Sequence, residues 1–397
     1  MFLDETHLQL QKTARDFTEK EVIPIATECD HIFEKDKRAS HIPENILRRI
    51  GDLGFYGIRT AAEDGGAGLG HLALVVVAEE LARGWLSVGS CFSRNEASLA
   101  LVAQPGFERL REKYLAGLLS GEIQTAMANS EADAGSDAAN IKCAARKSDG
   151  KWIINGQKMW VTNADRANIL HSLVRTDPKI TPGKKHWGVS WLVIEKEPWD
   201  NSDPRLMITE IDTVGYHGMG TYQVDFSDFP VPEENMWGQE GRAFSMLMQG
   251  YETARIQFAG RCLGVARAAF EAALNYVTQR IQFDVPLATF QSIRFRLADM
   301  ATSIEVCRQY AYHAAIKKDS GVRCDLEAGM AKLFAADMVM KVAWDALQMH
   351  GGYGYTRDLP LERYWRDAAM LPIGEGTQEI QRGVISARLL ERVMPKK

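Results

Sequence analysis

Trp152-Ile153-Ile154-Asn155-Gly156-Gln157-Lys158-Met159-Trp160-Val161-Thr162 is where the hydrophobic period of this 397-residue chain changes. The run is rich in β-branched and aromatic residues, with Asn155-Gly156 at its middle. It reads as two strands joined by a tight Asn-Gly turn. Trp187 to Ile194, Met207 to Ile211 and Tyr222 to Phe226 are further strand candidates, punctuated by proline and glycine. They define a compact central β domain of antiparallel type over residues 123–234.

On both sides the period is helical. In residues 1–122, Leu8, Leu10, Ala14, Phe17 and Val22 recur at helical spacing between Thr6 and Ile25. Pro43 opens another helix. Glu63 to Gly70 is a glycine-rich loop without the G-x-G-x-x-G spacing of a dinucleotide fingerprint. The helix after it, Leu72 to Ala82, is almost wholly apolar and is expected to be buried. In residues 235–397 two stripes stand out. One is Cys262, Val265, Ala266, Ala269, Ala273, Tyr276 and Val277, and the other Ile293, Leu297, Met300, Ile304, Cys307 and Ala311. Such stripes mark the core of a helical bundle. The fold class is therefore α+β: an N-terminal helical domain, a central antiparallel β domain and a C-terminal four-helix bundle.

Composition narrows the function. Hydrophobic residues make up 46% and charged residues 25% of the chain, as in ordinary globular proteins, and the net charge is −5. No basic block points to nucleic acid, and no apolar run is long enough to span a bilayer. The start, Met1 to Glu5, is acidic and lacks the layout of a signal peptide. A cytoplasmic protein, or a mature mitochondrial matrix form, is expected. The six cysteines are scattered, without a C-x-x-C pair, and the nine histidines form no metal-binding motif. Small core thiols in a reducing compartment are expected, and no metal.

Pro372-Ile373-Gly374-Glu375-Gly376-Thr377-Gln378-Glu379-Ile380-Gln381 carries the chemistry. A lone carboxylate sits between two glycines at the mouth of a helix running from Thr377 to Val393. Gly374 and Gly376 permit a tight turn and close approach of a ligand. Glu375 is a candidate general base, or else a surface Glu favoured by the helix dipole.

Four segments, in order, resemble the acyl-CoA dehydrogenase family over nearly the whole chain. They are Ala128 to Asp137, Gly156 to Asn163, Gln348 to Gly354, and Ile373 to Gln381. The resemblance implies oxidation of an acyl-CoA thioester to its trans-α,β-enoyl form, with Glu375 taking the Cα proton and N5 of FAD taking the Cβ hydride. A desolvated pocket would make that carboxylate a stronger base. The backbone N–H of Glu375 and a flavin ribityl hydroxyl would meet the developing enolate oxygen, and Gly376 would leave room for that approach.

By the same resemblance Trp160 packs on the isoalloxazine and Thr162 lies beside N5. Met127, Asn129 and Ser130 contact the ring. Arg280 and Phe283 would meet the pyrophosphate of a FAD held by a neighbouring subunit. Gln348, Gly352, Thr377 and Glu379 match adenine-side and phosphate contacts, also across a dimer. Ser136 and Arg255 match positions near the CoA chain; Arg255 is alternatively a helix salt bridge. Electron-transfer flavoprotein as electron acceptor and a homotetramer built from dimers follow from the resemblance.

The departures from the family pattern bear on the substrate. Some members place the base on the helix near 251–256; here the matching residue is Ala254, which leaves Glu375, with Glu252 second. Ala132-Asp133 replaces Pro-Gly, and Asp284 replaces a Gly after Phe283. Gly374 replaces a bulky Tyr, which would open the acyl pocket to a branched, cyclic or aryl-bearing group unless another side chain compensates. Arg94 falls on the helix closing the pocket and would pair with a second carboxylate on the substrate, or with Glu96. His217 and His350 read as structural histidines. If one of them faced the cavity together with Arg94, a dicarboxylic thioester such as an aryl-substituted succinyl-CoA would fit. Rival readings are an oxidase or monooxygenase of the same fold that uses oxygen, and a non-catalytic flavin-binding stress protein. The latter would want a basic C-terminal segment, for which Glu391 to Lys397 is too short.

Overall fold

The computed structural model describes residues 2–104, 106–179 and 183–394; the last three residues of the C-terminal tail lie outside them. Six helices come first: α1 (Glu5–Phe17), α2 (Ile23–Ile32), α3 (Glu44–Asp52), α4 (His71–Gly84), α5 (Leu86–Val102) and α6 (Glu108–Ser120). The strands follow: β1 (Thr125–Ala128), β2 (Ala144–Ser148), β3 (Lys151–Thr162), β4 (Ile169–Arg175), β5 (Val189–Glu195), β6 (Leu206–Glu210), β7 (Thr221–Pro232) and β8 (Met236–Trp237). Then come α7 (Ala243–Gln279), the short strands β9 (Ile281–Gln282) and β10 (Val285–Pro286), α8 (Gln291–Asp319), α9 (Asp325–Met349), α10 (Leu361–Met370) and α11 (Gln378–Glu391).

The helix expected over Thr6 to Ile25 is longer and interrupted. Asp4 caps α1 by accepting the His7 N–H at 3.0 Å. A wide π-type turn over Thr18–Val22 joins it to α2. The glycine-rich loop serves packing. A Cβ on Gly66 would overlap the Thr60 carbonyl, and one on Gly70 would strike the Asp319 carboxylate. That carboxylate, from α8, accepts the His71 N–H at 2.7 Å and the Leu72 N–H at 3.2 Å, so it caps α4 from another helix. Leu72 to Ala82 is buried throughout, as expected. The burial includes Glu79 and Glu80, which are met by Arg15, Arg267 and Arg308.

The central sheet corrects two expectations. Residues 151–162 form one continuous strand, not a hairpin. The Asn-Gly pair is a bulge: register against β7 slips between Ile154 and Gly156, and again between Lys158 and Val161. Gly156 has φ +136°, and a Cβ there would stand 2.7 Å from Cys143 Cα. β2 and β7 flank the strand on its two edges, so the local turn signal yields to ladder pairing on both sides. The sheet is also mixed. Among the described residues its order is β6-β7-β3-β2-β4-β5-β8, with β1 parallel to β4 at the side.

Every residue of β4 is buried, because both faces of the sheet are covered. Leu170 and Val174 join a core within the β domain. Ile169 and Leu173 face the helical core, together with Trp191 and Trp237. That helical core draws on α4 and α5 as well as α7, α8 and α9, so the two helical thirds pack as one body. The first stripe, on α7, is buried apart from half-buried Tyr276. The second, on α8, is buried from Met300 to Ala311, with Ile293 and Leu297 half-buried. β9 and β10 are joined by Phe283 and Asp284, with φ +53° and +64°. Asp tolerates this left-handed backbone better than most residues, which is how it replaces a glycine there. No helix among the described residues is long and apolar enough to cross a membrane.

Candidate active site

Glu375 lies in the turn between α10 and α11. The Ile373 and Gly374 N–H groups both donate to Met370 O at 3.0 Å, closing α10. Glu375 then adopts φ +54° and Gly376 φ +90°. A non-glycine residue held left-handed costs on the order of 1 kcal/mol or more and points to function. Gln381 holds the turn from below: its Nε2 donates to Gly376 O at 3.1 Å and to Glu375 O at 3.4 Å. Thr377 caps α11 by accepting the Ile380 N–H at 3.3 Å.

The surroundings of the carboxylate differ from expectation. Its nearest partner is a cation, not an apolar wall. Arg261 Nη2 donates to Glu375 Oε1, while Arg261 Nη1 donates to Ser90 Oγ on α5 at 3.0 Å. The Arg261 guanidinium is fully buried and stands over the Phe258 ring at 4.8 Å. Lys332 is fully buried nearby, 3.1 Å from Gln378 Oε1 and 5.1 Å above the same ring. Glu375 Oε2 is buried without a hydrogen-bond partner. One carboxylate oxygen is thus anchored and the other is free to take a proton. Nothing in the periodicity of α7 marks Arg261. The one signal was its charge inside a stripe of small apolar residues, Phe258 to Val265.

Several predicted residues fall around this point. A Cβ on Gly374 would meet Met370 Sδ at 2.9 Å, so a flexible thioether occupies the space beside Glu375. Arg255 is buried, with its guanidinium 5.7 Å from the Tyr251 ring and Nε unpaired. Burial disfavours its charge. Arg94, one helical turn after Ser90 on α5, donates to Tyr216 Oη at 3.0 Å. Glu96 does not pair with it; Arg59 takes that carboxylate, with Nη2 at 2.9 Å. Glu252, the second candidate base, is held by Lys318 at 2.6 Å.

Both histidines have partners within the fold, and His350 also lines a cavity at the C-terminal ends of α7 and α9. His217 stacks on Phe33 at 3.7 Å and lies 2.9 Å from Thr213 O and 3.0 Å from Asp30. His350 is 2.7 Å from Ala346 O and stacks on Tyr276 at 4.2 Å.

The flavin candidates form two clusters. The segment after β1 is tied to β3, because the Met159 N–H donates to Ser130 O at 2.9 Å. The second bulge of β3 gives Trp160 φ +62° and turns its indole outward, 57% exposed. Thr162 follows, buried at the strand end, and Asn129 Oδ1 is buried and unpaired. A bare aromatic plate beside an unsatisfied acceptor suits a flat heteroaromatic ring with N–H groups. FAD therefore fits the residues present. Sequence reading missed the prop beneath them. Lys158, fully buried, donates to Glu131 Oε1 at 2.7 Å, and Glu131 accepts the Lys142 and Cys143 N–H groups at 2.7 and 2.9 Å. Ser136 is exposed on the adjoining turn.

The second cluster surrounds a cavity of 460 Å³ at the C-terminal ends of α7 and α9. Arg280 and Gly352 line it together. Phe283 projects at the hairpin tip, 87% exposed, and Gln348 is exposed and bonded to Arg296. Thr377 and Glu379 are elsewhere, at the start of α11. There Thr377 acts as the cap, and Glu379 is exposed and 3.7 Å from Arg382.

Three family models match in order: acyl-CoA dehydrogenase N-terminal domain over residues 4–122, middle domain over 126–229 and C-terminal domain over 241–390. The (2S)-methylsuccinyl-CoA dehydrogenase of Cereibacter sphaeroides is 38% identical, across 98% of this chain and 70% of its own length. The 3-(aryl)acrylate reductase of Clostridium sporogenes is 35% identical, across 98% and 100%. The structure of butyryl-CoA dehydrogenase from Megasphaera elsdenii superposes with a TM-score of 0.89 at 34% identity, covering 98% of this chain and 99% of that one. With all three domains matched in order and relatives of this kind along nearly its full length, the chain belongs to the acyl-CoA dehydrogenase family, FAD-dependent oxidoreductases acting on CH–CH bonds.

Proposed function

We propose that the protein oxidises an acyl-CoA thioester to its trans-α,β-enoyl-CoA, with Glu375 as the base. One observation carries this: a carboxylate in strained left-handed backbone, with Oε1 anchored and Oε2 buried and unpaired. The free oxygen is the one that would take the Cα proton. The Glu375 N–H is not used in closing the turn, and it would donate to the thioester oxygen as enolate charge develops there. FAD, when bound, supplies the acceptor for the hydride leaving Cβ. Trp160, Thr162, Met127, Asn129 and Ser130 would hold its ring system. Arg280, Phe283, Gln348 and Gly352 would meet its phosphate and adenine end from a second subunit, with Thr377 and Glu379 contributing at the start of α11. Arg is suited to a pyrophosphate through paired hydrogen bonds. Ser136 and Arg255 would lie along the CoA arm.

Met370 Sδ fills the space beside Gly374, and this flexible thioether can move aside for a branched, aryl-bearing or carboxylate-bearing acyl group. The relatives named for methylsuccinyl-CoA and aryl acrylates point the same way. Electrons would pass to electron-transfer flavoprotein, and the assembly would be a homotetramer of dimers, in the cytoplasm or the mitochondrial matrix.

The test is anaerobic mixing of the FAD-loaded enzyme with straight-chain, branched, aryl and dicarboxylic CoA thioesters. Loss of the oxidised flavin absorbance with one class is expected. A flavin that none of them reduces removes the proposal.

A further inference from the structure

Arg261 is the cation that touches Glu375, the proposed base. Its guanidinium is fully buried and bridges Ser90 Oγ and Glu375 Oε1, and its Nε has no partner. An uncharged side chain at this point would avoid burying a cation, which is costly unless the charge is used. Arg94 is a second cation on the same face of α5, one turn beyond Ser90, and is held by Tyr216. Tyr216 is in turn fixed by its own N–H, which donates to buried Asp367 Oδ1 at 2.7 Å. Tyr216 also lies close enough to Arg261 to influence its charge. Two guanidinium groups thus share one end of the site.

We infer that Arg261 is a specificity residue for a carboxylate carried on Cβ of the acyl group, so that the substrate is a substituted succinyl thioester, and that this carboxylate displaces Glu375 from the guanidinium. The inference rests on the reading of Glu375 as the base and follows from reach. Glu375 must approach the Cα hydrogen, and Arg261 touches Glu375. A group that can take over the guanidinium must therefore lie within a bond or two of Cα. A carboxylate on Cβ does; one at the end of a longer chain lies farther off.

The exchange also accounts for the ion pair itself. In the free enzyme the Arg261 guanidinium is paired with Glu375 Oε1. When the substrate carboxylate takes Arg261, the charge of the buried guanidinium stays balanced and Glu375 loses its cation. Released from Arg261, Glu375 can turn both oxygens toward the Cα hydrogen, so the correct substrate frees its own base. A thioester without the second carboxylate leaves Oε1 on Arg261 and meets Glu375 through Oε2 alone.

The test uses the FAD-loaded enzyme and two matched thioesters, methylsuccinyl-CoA and the analogue whose distal carboxylate is a carboxamide. Anaerobic flavin reduction gives kcat/KM for each. Equilibrium titration of the flavin spectrum with the corresponding enoyl thioesters, which cannot be oxidised further, gives Kd. The wild-type enzyme should prefer the carboxylate by at least about 30-fold, in line with a charge-assisted hydrogen bond. In Arg261→Gln the ratio should collapse toward one in both measurements, and Arg261→Lys should restore part of it. Equal use of the carboxamide by the wild-type enzyme overturns the inference. So does an Arg261→Gln variant that loses both activities equally, because Arg261 would then serve Glu375 alone. If the variants do not fold, the wild-type ratio decides alone. Reduction by neutral thioesters only removes this inference and leaves the dehydrogenase reading in place, whereas reduction by no thioester removes both.

Discussion

At the scale of single residues, the site is built from groups placed where they would not rest by preference. Glu375 is left-handed without being glycine, Trp160 shows its indole to the outside from a bulge, and Arg261 is a cation in the core. Glu375→Gln should retain FAD and fold while losing at least about 10²-fold in turnover, the usual worth of a general base; stopped-flow flavin reduction would show it, and near-normal rates would remove Glu375 from the role. Lys158 and Glu131 are more than a surface pair. Glu131→Ala leaves a fully buried ammonium with no counter-charge and one long bond to Asn129 O beneath the Trp160 bulge, with an expected loss of about 3 kcal/mol or more in urea unfolding. The Glu375 site was readable because Gly-Glu-Gly before a helix is local chemistry. Arg261 was not, since its meaning comes from a residue 114 positions away.

At the scale of elements, the long helices followed their apolar stripes, while the β region kept its strands and lost its hairpin. Asn155-Gly156 is the strongest short-range turn signal in the chain, yet pairing of β3 with both β2 and β7 turned it into a bulge. The same device at Trp160 orients the indole, so local strain in this strand is put to use. The start of α4 is an element-scale surprise of another kind: its cap is the Asp319 carboxylate from α8. Asp319→Ala should cost about 1 kcal/mol, the common worth of a helix cap. The loss should appear as faster hydrogen exchange in the first turn of α4; unchanged exchange there would show that the cap is not used.

At the scale of the whole molecule, helices from both ends of the chain share one core and clasp the sheet between them. His171 on β4 sits at that junction, fully buried, with Nε2 3.1 Å from Ser98 Oγ on α5. Burial pushes its pKa down from 6.5 to about 4, and burial likewise takes His41 down to about 3. Both are neutral in the folded protein while the unfolded chain takes up protons below 6.5. Stability from this source is therefore complete above about pH 6.5 and is lost as pH falls toward 4. Urea midpoints should decline across that window, and His171→Gln should flatten the slope between pH 6.5 and 5. A slope unchanged by that substitution would assign the acid sensitivity to other groups.

The sequence by itself determined the helix–β–helix plan, the buried apolar helix α4, the candidate carboxylate between two glycines, and the family. All of these rest on local period or on contiguous motifs, which need no knowledge of distant neighbours. Only the tertiary structure decided what each charged group meets. Glu96 went to Arg59, Arg94 to Tyr216, Glu252 to Lys318, and Glu375 to Arg261. A charge buried in a folded chain is satisfied by whatever partner the packing brings within a few ångströms, and that partner comes from any part of the chain.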